Sequence, residues 1–161
     1  MADMPQSRRR MRIALGSVAA PSVAGLRSPR PADEDALASL MMRAYVGTVD
    51  YEGESEAEAL SEVRETLSGE KGPFLWSESS VIQREGTLAC ATLVIRWNGE
   101  PLVAFAMTDA RFKRQGLARA CMLSSMHQLR ALGERQLSLF VTLANTEAVS
   151  LYRSLGFSFQ Q

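Results

Sequence analysis

Apolar residues are grouped along the chain in short strand-like runs and in longer runs with helical spacing. The strand-like runs occupy residues 23–28, 81–84, 87–97, 101–108 and 136–141. The three central runs are separated by short turns and predict consecutive antiparallel strands. Asn98-Gly99 lies between the last two of them and is the strongest hairpin signal in the chain.

Four stretches predict helices. The first begins near Asp33, the second covers residues 57–67, and the third covers residues 117–132 and ends at Gly133. The fourth begins at Asn145 or Thr146 and closes at Gly156. The apolar stripe of the first helix consists of Ala36, Leu37, Leu40, Met41, Ala44 and Tyr45. This order of elements predicts an α+β fold with a mixed, mostly antiparallel sheet flanked by four helices.

A basic glycine turn connects the strand at 101–108 to the helix at 117–132. Residues 113–118 read Lys-Arg-Gln-Gly-Leu-Ala. The first amides of a helix lack intrahelical acceptors and carry the positive end of the helix dipole, so this order of elements builds a phosphate site. Gly116 permits close approach of a ligand to the backbone. Taken alone, the turn also fits a solvated basic corner, and it is neither a P-loop nor a dinucleotide fingerprint.

A second motif follows about 25 residues later and identifies the family that the chain resembles. Its signature is Asn, then Ala three residues on, then Leu-Tyr and Leu-Gly-Phe. The glycine turn matches the family pattern Arg/Gln-x-x-Gly-x-Gly/Ala, except that Lys113 occupies its first place. Together the two motifs resemble the GNAT superfamily of acetyl-CoA dependent N-acetyltransferases. The residues that carry the second motif are Asn145, Ala148, Leu151, Tyr152, Leu155, Gly156 and Phe157.

The resemblance implies a GNAT-type sheet in which the strands at 101–108 and 136–141 splay apart, with the thiol arm of coenzyme A lying in the gap. It implies that backbone amides of the turn hold the phosphates and that nearby arginines add charge. Acetyl-CoA is then a co-substrate, and no metal is expected. The expected donor-binding residues are Met107, Thr108, Lys113, Arg114, Gln115, Gly116, Leu117, Ala118, Arg119, Asn145 and Ala148.

Tyr152 matches the family tyrosine that protonates the departing thiolate. A phenol is suited to this because it donates a hydrogen bond and is uncharged at neutral pH. Tyr152 also falls on an apolar helical stripe, so a role in the core is the alternative interpretation. Asn145 has two interpretations as well, a contact to the thiol arm or a helix cap.

The sequence names no general base with certainty. The best candidates for the acceptor side are Tyr51, Glu52 and Glu54, because the loop between the first two helices shapes the acceptor pocket in relatives. Asp109 is a weaker candidate for the base, and His127, the one histidine, is weaker still. Acidic residues are concentrated at positions 50–70. They fit either a solvated helix face or a rim that attracts a cationic amine.

Charge and cysteine content restrict the choice of partners. The formal net charge is zero, which gives no global reason to expect nucleic acid or a membrane as partner. Two cysteines lie inside apolar runs and predict buried thiols of a reducing compartment, so we expect a cytoplasmic protein.

The expected acceptor is a small-molecule or peptide amine. The alternatives are a GNAT-fold coenzyme A-binding module that has lost turnover and a protein whose basic turn binds nucleic acid or another phosphate.

The two ends of the chain give the last expectations. We predict a basic N-terminal tail over residues 1–20, which can be extended, and one GNAT-like acetyltransferase domain over residues 21–161. The C-terminal strand is expected to be short or incomplete, because the chain stops soon after Phe157. The strand that would complete the sheet at this end is then lacking, supplied by a partner subunit, or replaced by residues 12–18. An exposed sheet edge favours pairing with a second copy, which predicts a homodimer.

Overall fold

A seven-stranded sheet forms the centre of the computed structural model, which describes residues 7–161. The strands occur across the sheet in the order β2-β3-β4-β5-β6-β1-β7. In the described chain β5 and β6 run parallel, and every other neighbouring pair is antiparallel. The bounds of the strands are β1 Arg8–Ala14, β2 Leu26–Arg27, β3 Ser80–Arg84, β4 Thr87–Trp97, β5 Glu100–Thr108, β6 Gln136–Thr142 and β7 Ser158–Phe159.

Two helices pack on each face of the sheet. Alternation along β4 separates the two cores, because Leu93 packs with α1 and α2 whereas Val94 packs with α3 and α4. None of the helices within residues 7–161 has the length and apolar character required to cross a membrane. The bounds are α1 Glu34–Tyr45, α2 Glu56–Leu67, α3 Leu117–Leu132 and α4 Thr146–Leu155, with short 3₁₀ helices at Pro31–Asp33 and Ala110–Phe112.

These elements confirm the predicted α+β fold, its mostly antiparallel sheet and its four helices. The short C-terminal strand is also present, since β7 has two residues. The boundaries differ by small amounts. The first predicted strand, residues 23–28, contracts to the two residues of β2, and α2 begins one residue early, where Ser55 and Glu58 form a capping box.

The N-terminal segment, which was predicted to be a basic tail that can be extended, contributes a strand to the sheet. Arg8–Ala14 forms β1, which pairs along its whole length with β6 and, through Met11 and Arg12, with β7. Met11 is completely buried, while Arg10 and Arg12 lie on the other face and pair with Glu100. The strand can bury Met11 although arginines dominate its composition, because Arg8, Arg10 and Arg12 alternate with it and lie on the opposite face. Residues 1–6 of the predicted tail lie outside the described residues.

β5 and β6 separate soon after they meet. They pair only at Leu102 with Ser138 and at Val103 with Leu139 within the described chain. Beyond this point the edge of β5 over residues 104–108 faces a groove instead of β6. The predicted splay of these two strands is therefore confirmed, and it positions the site described next.

Candidate active site

A groove of about 1850 Å³ opens where β5 and β6 separate. The exposed edge of β5 lines its floor. The turn before α3 and the first turns of α4 line one wall, and the loop between α1 and α2 lines the other. The groove is larger than a typical small-molecule pocket of roughly 300–1,000 Å³. It can therefore accept a long ligand together with a second reactant.

The turn that opens α3 has a left-handed backbone at two residues. Gly116 is the N-cap of α3 at φ 77°, and Arg114 has φ 63°. A Cβ on Gly116 would meet no atom within 4 Å, so the positive φ and not lack of space favours glycine here. The amides of Leu117, Ala118 and Arg119 follow at the start of the helix, where they have no intrahelical acceptor. The turn therefore presents amides and the positive end of a helix dipole to the groove.

Cationic side chains surround this turn. Lys113, Arg114 and Arg119 are exposed and line the groove. The guanidinium of Arg119 donates to Oγ of Ser154 at 2.8 Å. Arg114 makes a 3.3 Å ion pair with Glu147, but its side chain is 87% exposed, so this pair holds it weakly. The charges are thus available to an anion at the helix start.

Asp109 fixes the corner between β5 and α3. Its carboxylate is buried and accepts hydrogen bonds from Nε of Arg43 at 2.7 Å and from Nη2 of Arg111 at 2.9 Å. The backbone amide of Arg111 donates to it as well, at 2.9 Å. Burial by itself would raise the pKa of Asp109, but these hydrogen bonds outweigh it and lower the pKa to about 2. A carboxylate so occupied is a poor base at neutral pH, which argues against the catalytic role considered for Asp109.

Tyr152 on α4 has a buried ring and a hydroxyl that reaches the groove. The residue is 9% exposed, and its ring packs edge-on against Phe157 with 5.9 Å between centroids. Tyr152 lines the groove, and none of the side-chain hydrogen bonds within residues 7–161 involves its hydroxyl. Burial, and then the nearby charge of Asp50, raise the pKa of Tyr152 to about 12. The phenol is therefore protonated at neutral pH and free to donate.

Asn145 uses both ends of its side-chain amide inside the protein. Oδ1 accepts from the backbone amide of Ala148 at 3.1 Å and so caps α4. Nδ2 donates to Oδ2 of Asp50 at 2.9 Å, across 95 positions of sequence. The structure therefore shows that Asn145 caps α4. The contact of Asn145 with the thiol arm of the donor stays a prediction.

The loop between α1 and α2 forms the opposite wall. Tyr51, Glu52 and Glu54 all line the groove, but two of them also support their own loop. The Tyr51 hydroxyl donates to the carbonyl of Glu54 at 2.9 Å, and the amide of Glu52 donates to the carboxylate of Glu54 at 3.1 Å. Asp50 reaches α4 instead. The sequence gives no sign of this contact, because nothing local distinguishes Asp50 from the other acids of the same stretch.

Two further groove residues were also missed. Tyr45 was assigned to the apolar stripe of α1, yet it lines the groove, and burial raises its pKa well above the ordinary value. Arg8 of β1 lines the groove as well. Its pairing in register with Thr142 brings it there, a contact that only the long-range arrangement of the sheet creates.

Apart from the two weaker base candidates, Asp109 and His127, the groove brings together all but one of the predicted site residues. Gln115 is exposed and does not line it. His127 lies elsewhere, with Nδ1 at 2.6 Å from the carbonyl of Val18, which indicates a structural role. The described residues contain no cluster of three or more metal-ligating side chains. The predicted residues that line the groove are Tyr51, Glu52, Glu54, Met107, Thr108, Lys113, Arg114, Gly116, Leu117, Ala118, Arg119, Asn145, Ala148 and Tyr152.

Comparisons with solved structures identify the same fold in known acetyltransferases. The ribosomal-protein-S18-alanine N-acetyltransferase from Escherichia coli is 24% identical with a TM-score of 0.68, over 84% of this chain and 78% of that one. A GCN5-related N-acetyltransferase from Sphaerobacter thermophilus is 20% identical with a TM-score of 0.72, over 95% of this chain and 48% of that one. AAC(6')-Iy, solved with the bisubstrate analog CoA-S-monomethyl-acetylneamine, is 15% identical with a TM-score of 0.64, over 85% and 92%.

Comparison with sequences gives the family. No curated protein matches the chain significantly. A sequence model of the acetyltransferase (GNAT) family matches residues 36–157, which include the glycine turn, α4 and the whole splayed part of the sheet. The chain therefore belongs to the GNAT acetyltransferase family and is an acyltransferase.

Proposed function

We propose that the protein transfers an acetyl group directly from acetyl-CoA to a primary amine. The observation that carries this proposal is the turn that opens α3. Gly116 at φ 77° is followed by amides without intrahelical acceptors, beside a groove floored by the free edge of β5. This is an anion site next to an extended channel, which suits a ligand with phosphates at one end and a narrow arm at the other.

The residues present fit such a donor. The amides of residues 115–118 would hold its diphosphate, and Arg114 and Arg119 would add positive charge. The unpaired edge of β5 at Met107 and Thr108 would bind the arm, with Asn145 and Ala148 in the wall that α4 forms. AAC(6')-Iy, which shares the fold, was solved with an analog that joins CoA to an amine-derived group, and this supports CoA as the donor.

Tyr152 would act as the acid. The donor supplies an acetyl thioester, whose carbonyl carbon the amine attacks and whose sulfur leaves. The phenol is protonated at neutral pH, its hydroxyl lines the groove, and it has no partner in the described chain, so it can give its proton to the departing sulfur. On the other side, Tyr51, Glu52 and Glu54 would form an acidic rim that attracts a cationic amine.

Two measurements test the proposal. Calorimetric titration with acetyl-CoA should give saturable binding, and thiol release should rise when an accepted amine is added. Absence of binding at millimolar acetyl-CoA would contradict the proposal. Binding without thiol release would favour a binding module, and DNA binding with steep salt dependence and no affinity for acetyl-CoA would favour a nucleic-acid-binding protein.

Location and oligomeric state complete the proposal. We place the protein in the cytoplasm, since Cys90 and Cys121 are free and buried, as expected in a reducing compartment.

The homodimer was expected from an open edge beside β6. In the structure β1 fills that edge, and the two-residue strand β7 ends the sheet on this side. Sedimentation analysis at assay concentration tests the homodimer, and a monomer there would rule it out.

A further inference from the structure

Asp50 is held at a fixed place on the acceptor side of the groove. Its amide donates to Oγ1 of Thr48 at 3.2 Å, and the Thr48 hydroxyl in turn donates to the carbonyl of Tyr45 at 2.8 Å. The amide of Tyr51 donates to the carbonyl of Thr48 at 3.2 Å. Asp50 is half-buried and lines the groove, and its carboxylate accepts from Nδ2 of Asn145 at 2.9 Å. The loop therefore presents one carboxylate in a defined orientation.

Asp50 differs from the other acids of the same wall. Glu54 accepts from the amide of Glu52 within its own loop, and Glu52 is exposed. Glu62 lies on α2, where burial raises the pKa of its carboxyl group. Among these groove carboxylates, Asp50 alone is hydrogen-bonded to α4 in the part of the chain that the structure describes.

An independent feature of the groove points to chemistry at this place. Tyr152 is more than nine-tenths buried and lines the groove, and none of the side-chain hydrogen bonds within residues 7–161 involves its hydroxyl. Asn145 caps the same helix that carries Tyr152. One helix therefore carries both the unpartnered phenol and the amide that holds Asp50, so an acid and a base are linked through α4.

We propose that Asp50 binds the ammonium group of the acceptor and takes its proton, and that Asn145 positions Asp50 for this step through the Nδ2 to Oδ2 hydrogen bond. The inference rests on the proposed acetyl transfer and deepens it. Asp50 is then a catalytic residue, because it touches the acceptor. Asn145 is a positioning residue, because it acts through Asp50.

The proton balance of the step is complete. The ammonium nitrogen loses one proton to the Asp50 carboxylate, and its lone pair then forms the C–N bond with the acetyl carbon. The C–S bond breaks, its electron pair stays on sulfur, and Tyr152 gives sulfur a proton. The second proton lost by nitrogen restores the phenol. Asp50 returns its proton to solvent, so acetylation releases one proton overall.

Substitution of Asp50 tests the base. Four amines, namely spermidine, L-alanine, kanamycin and a peptide with an N-terminal alanine, are first assayed with the unchanged protein, and the fastest is used. Asp50→Asn should lower kcat/KM for that amine by at least ~100-fold, the usual contribution of a general base. Its dissociation constant for acetyl-CoA should stay within about two-fold. Glu56→Gln is the matched control, since Glu56 is an exposed acid nearby that does not line the groove.

A double-mutant cycle tests the positioning. Asn145→Ser keeps a capping oxygen for α4 but is too short to reach Asp50. It should lower kcat/KM by about ten-fold, and in the Asp50→Asn background it should change kcat/KM by less than about two-fold, because its effect passes through Asp50. An equal loss of kcat/KM in both backgrounds would overturn the positioning role.

Exchanging the side chains of Asp50 and Asn145 tests whether Asp50 takes the proton or only supports the loop. The double variant with Asp50→Asn and Asn145→Asp can restore the hydrogen bond with donor and acceptor reversed. If the bond only supports the loop, activity returns and the proposal is overturned. If Asp50 takes the proton, activity stays at the level of Asp50→Asn while the thermal midpoint recovers. A protein that binds acetyl-CoA but acetylates none of the four amines overturns both this inference and the proposed transfer, whereas full activity of Asp50→Asn overturns this inference alone.

Discussion

The ring and the hydroxyl of Tyr152 have different surroundings. The ring packs in the core against Phe157, and the hydroxyl reaches the groove without a partner in the described chain. The two interpretations that the sequence left open are therefore compatible, because the ring satisfies the apolar stripe of α4 while the polar tip stays accessible. Removing only the oxygen should separate catalysis from stability.

Tyr152→Phe should lower kcat by about 100-fold or more, because the thiolate would leave without a proton donor. The affinity for acetyl-CoA and the thermal midpoint should change little, since phenylalanine keeps the ring that packs against Phe157 and no hydrogen bond within residues 7–161 involves the lost hydroxyl. The measurement is steady-state thiol release at saturating acetyl-CoA, paired with calorimetric binding. Unchanged turnover under these conditions would show that Tyr152 is a core residue only.

Asp109 should make stability depend on pH at the acidic end. Its pKa falls from an ordinary value of 3.8 to about 2 in the folded protein. Because the folded value is the lower one, its contribution is full above about pH 4 and is lost as the pH falls towards 2. This difference corresponds to about 2 kcal/mol of unfolding free energy.

Urea unfolding of the protein and of Asp109→Asn between pH 6 and pH 2.5 measures this effect. The variant should be less stable at pH 6, and the gap between the two proteins should narrow by about 2 kcal/mol as the pH falls to 2.5. Leu132→Gln, an exposed change distant from the corner, should leave the gap to the unchanged protein constant with pH. A constant gap for Asp109→Asn would mean that Asp109 has the same pKa in both states.

At the scale of elements, α3 begins and ends at glycines with the same backbone requirement. Gly116 has φ 77° and Gly133 has φ 99°, and an added Cβ would meet no atom within 4 Å at either position. Gly133 lies outside the groove, whereas Gly116 lines it. The two glycines therefore form a matched pair, because both adopt a positive φ but only Gly116 lines the groove.

Gly116→Ala and Gly133→Ala should each lower the free energy of unfolding by about 1 kcal/mol, because an L-residue is strained at positive φ. Gly116→Ala alone should also weaken acetyl-CoA binding, by about ten-fold, since its methyl group enters the space in front of the helix amides. Urea unfolding and calorimetric titration measure the two effects. Equal affinities in the two variants would remove the phosphate-binding role from this turn.

Most elements could be predicted because their signals are local. The Asn98-Gly99 hairpin, the glycine at each end of α3 and the apolar stripe of α1 each depend on residues within a few positions of one another. The part of the groove that we propose for the donor could be anticipated for the same reason, since its turn and helix are contiguous. The link from Asp50 to Asn145 spans 95 positions and has no local pattern, so only the folded chain reveals it.

At the scale of the whole molecule, β1 completes the sheet beside the groove. It lies between β6 and β7, and its pairing brings Arg8 to the groove wall. No short-range signal predicts this, because β1 pairs with residues at the far end of the chain and contains four arginines. Its apolar anchors are Met11 and Ile13, with Leu15 just beyond the strand, and they pack with residues of α3, α4 and β6.

Met11→Ala tests whether the N-terminal segment is part of the folded core. Met11 is completely buried, so its truncation should lower the free energy of unfolding by about 2–4 kcal/mol. Ser17→Ala, an exposed change beyond the strand, is the control and should be neutral within about 0.5 kcal/mol. Urea unfolding monitored by tryptophan fluorescence measures both. Equal stability of the two variants would return residues 8–14 to a loose tail, and it would leave β6 as an open edge beside the groove, available to a strand from a second copy.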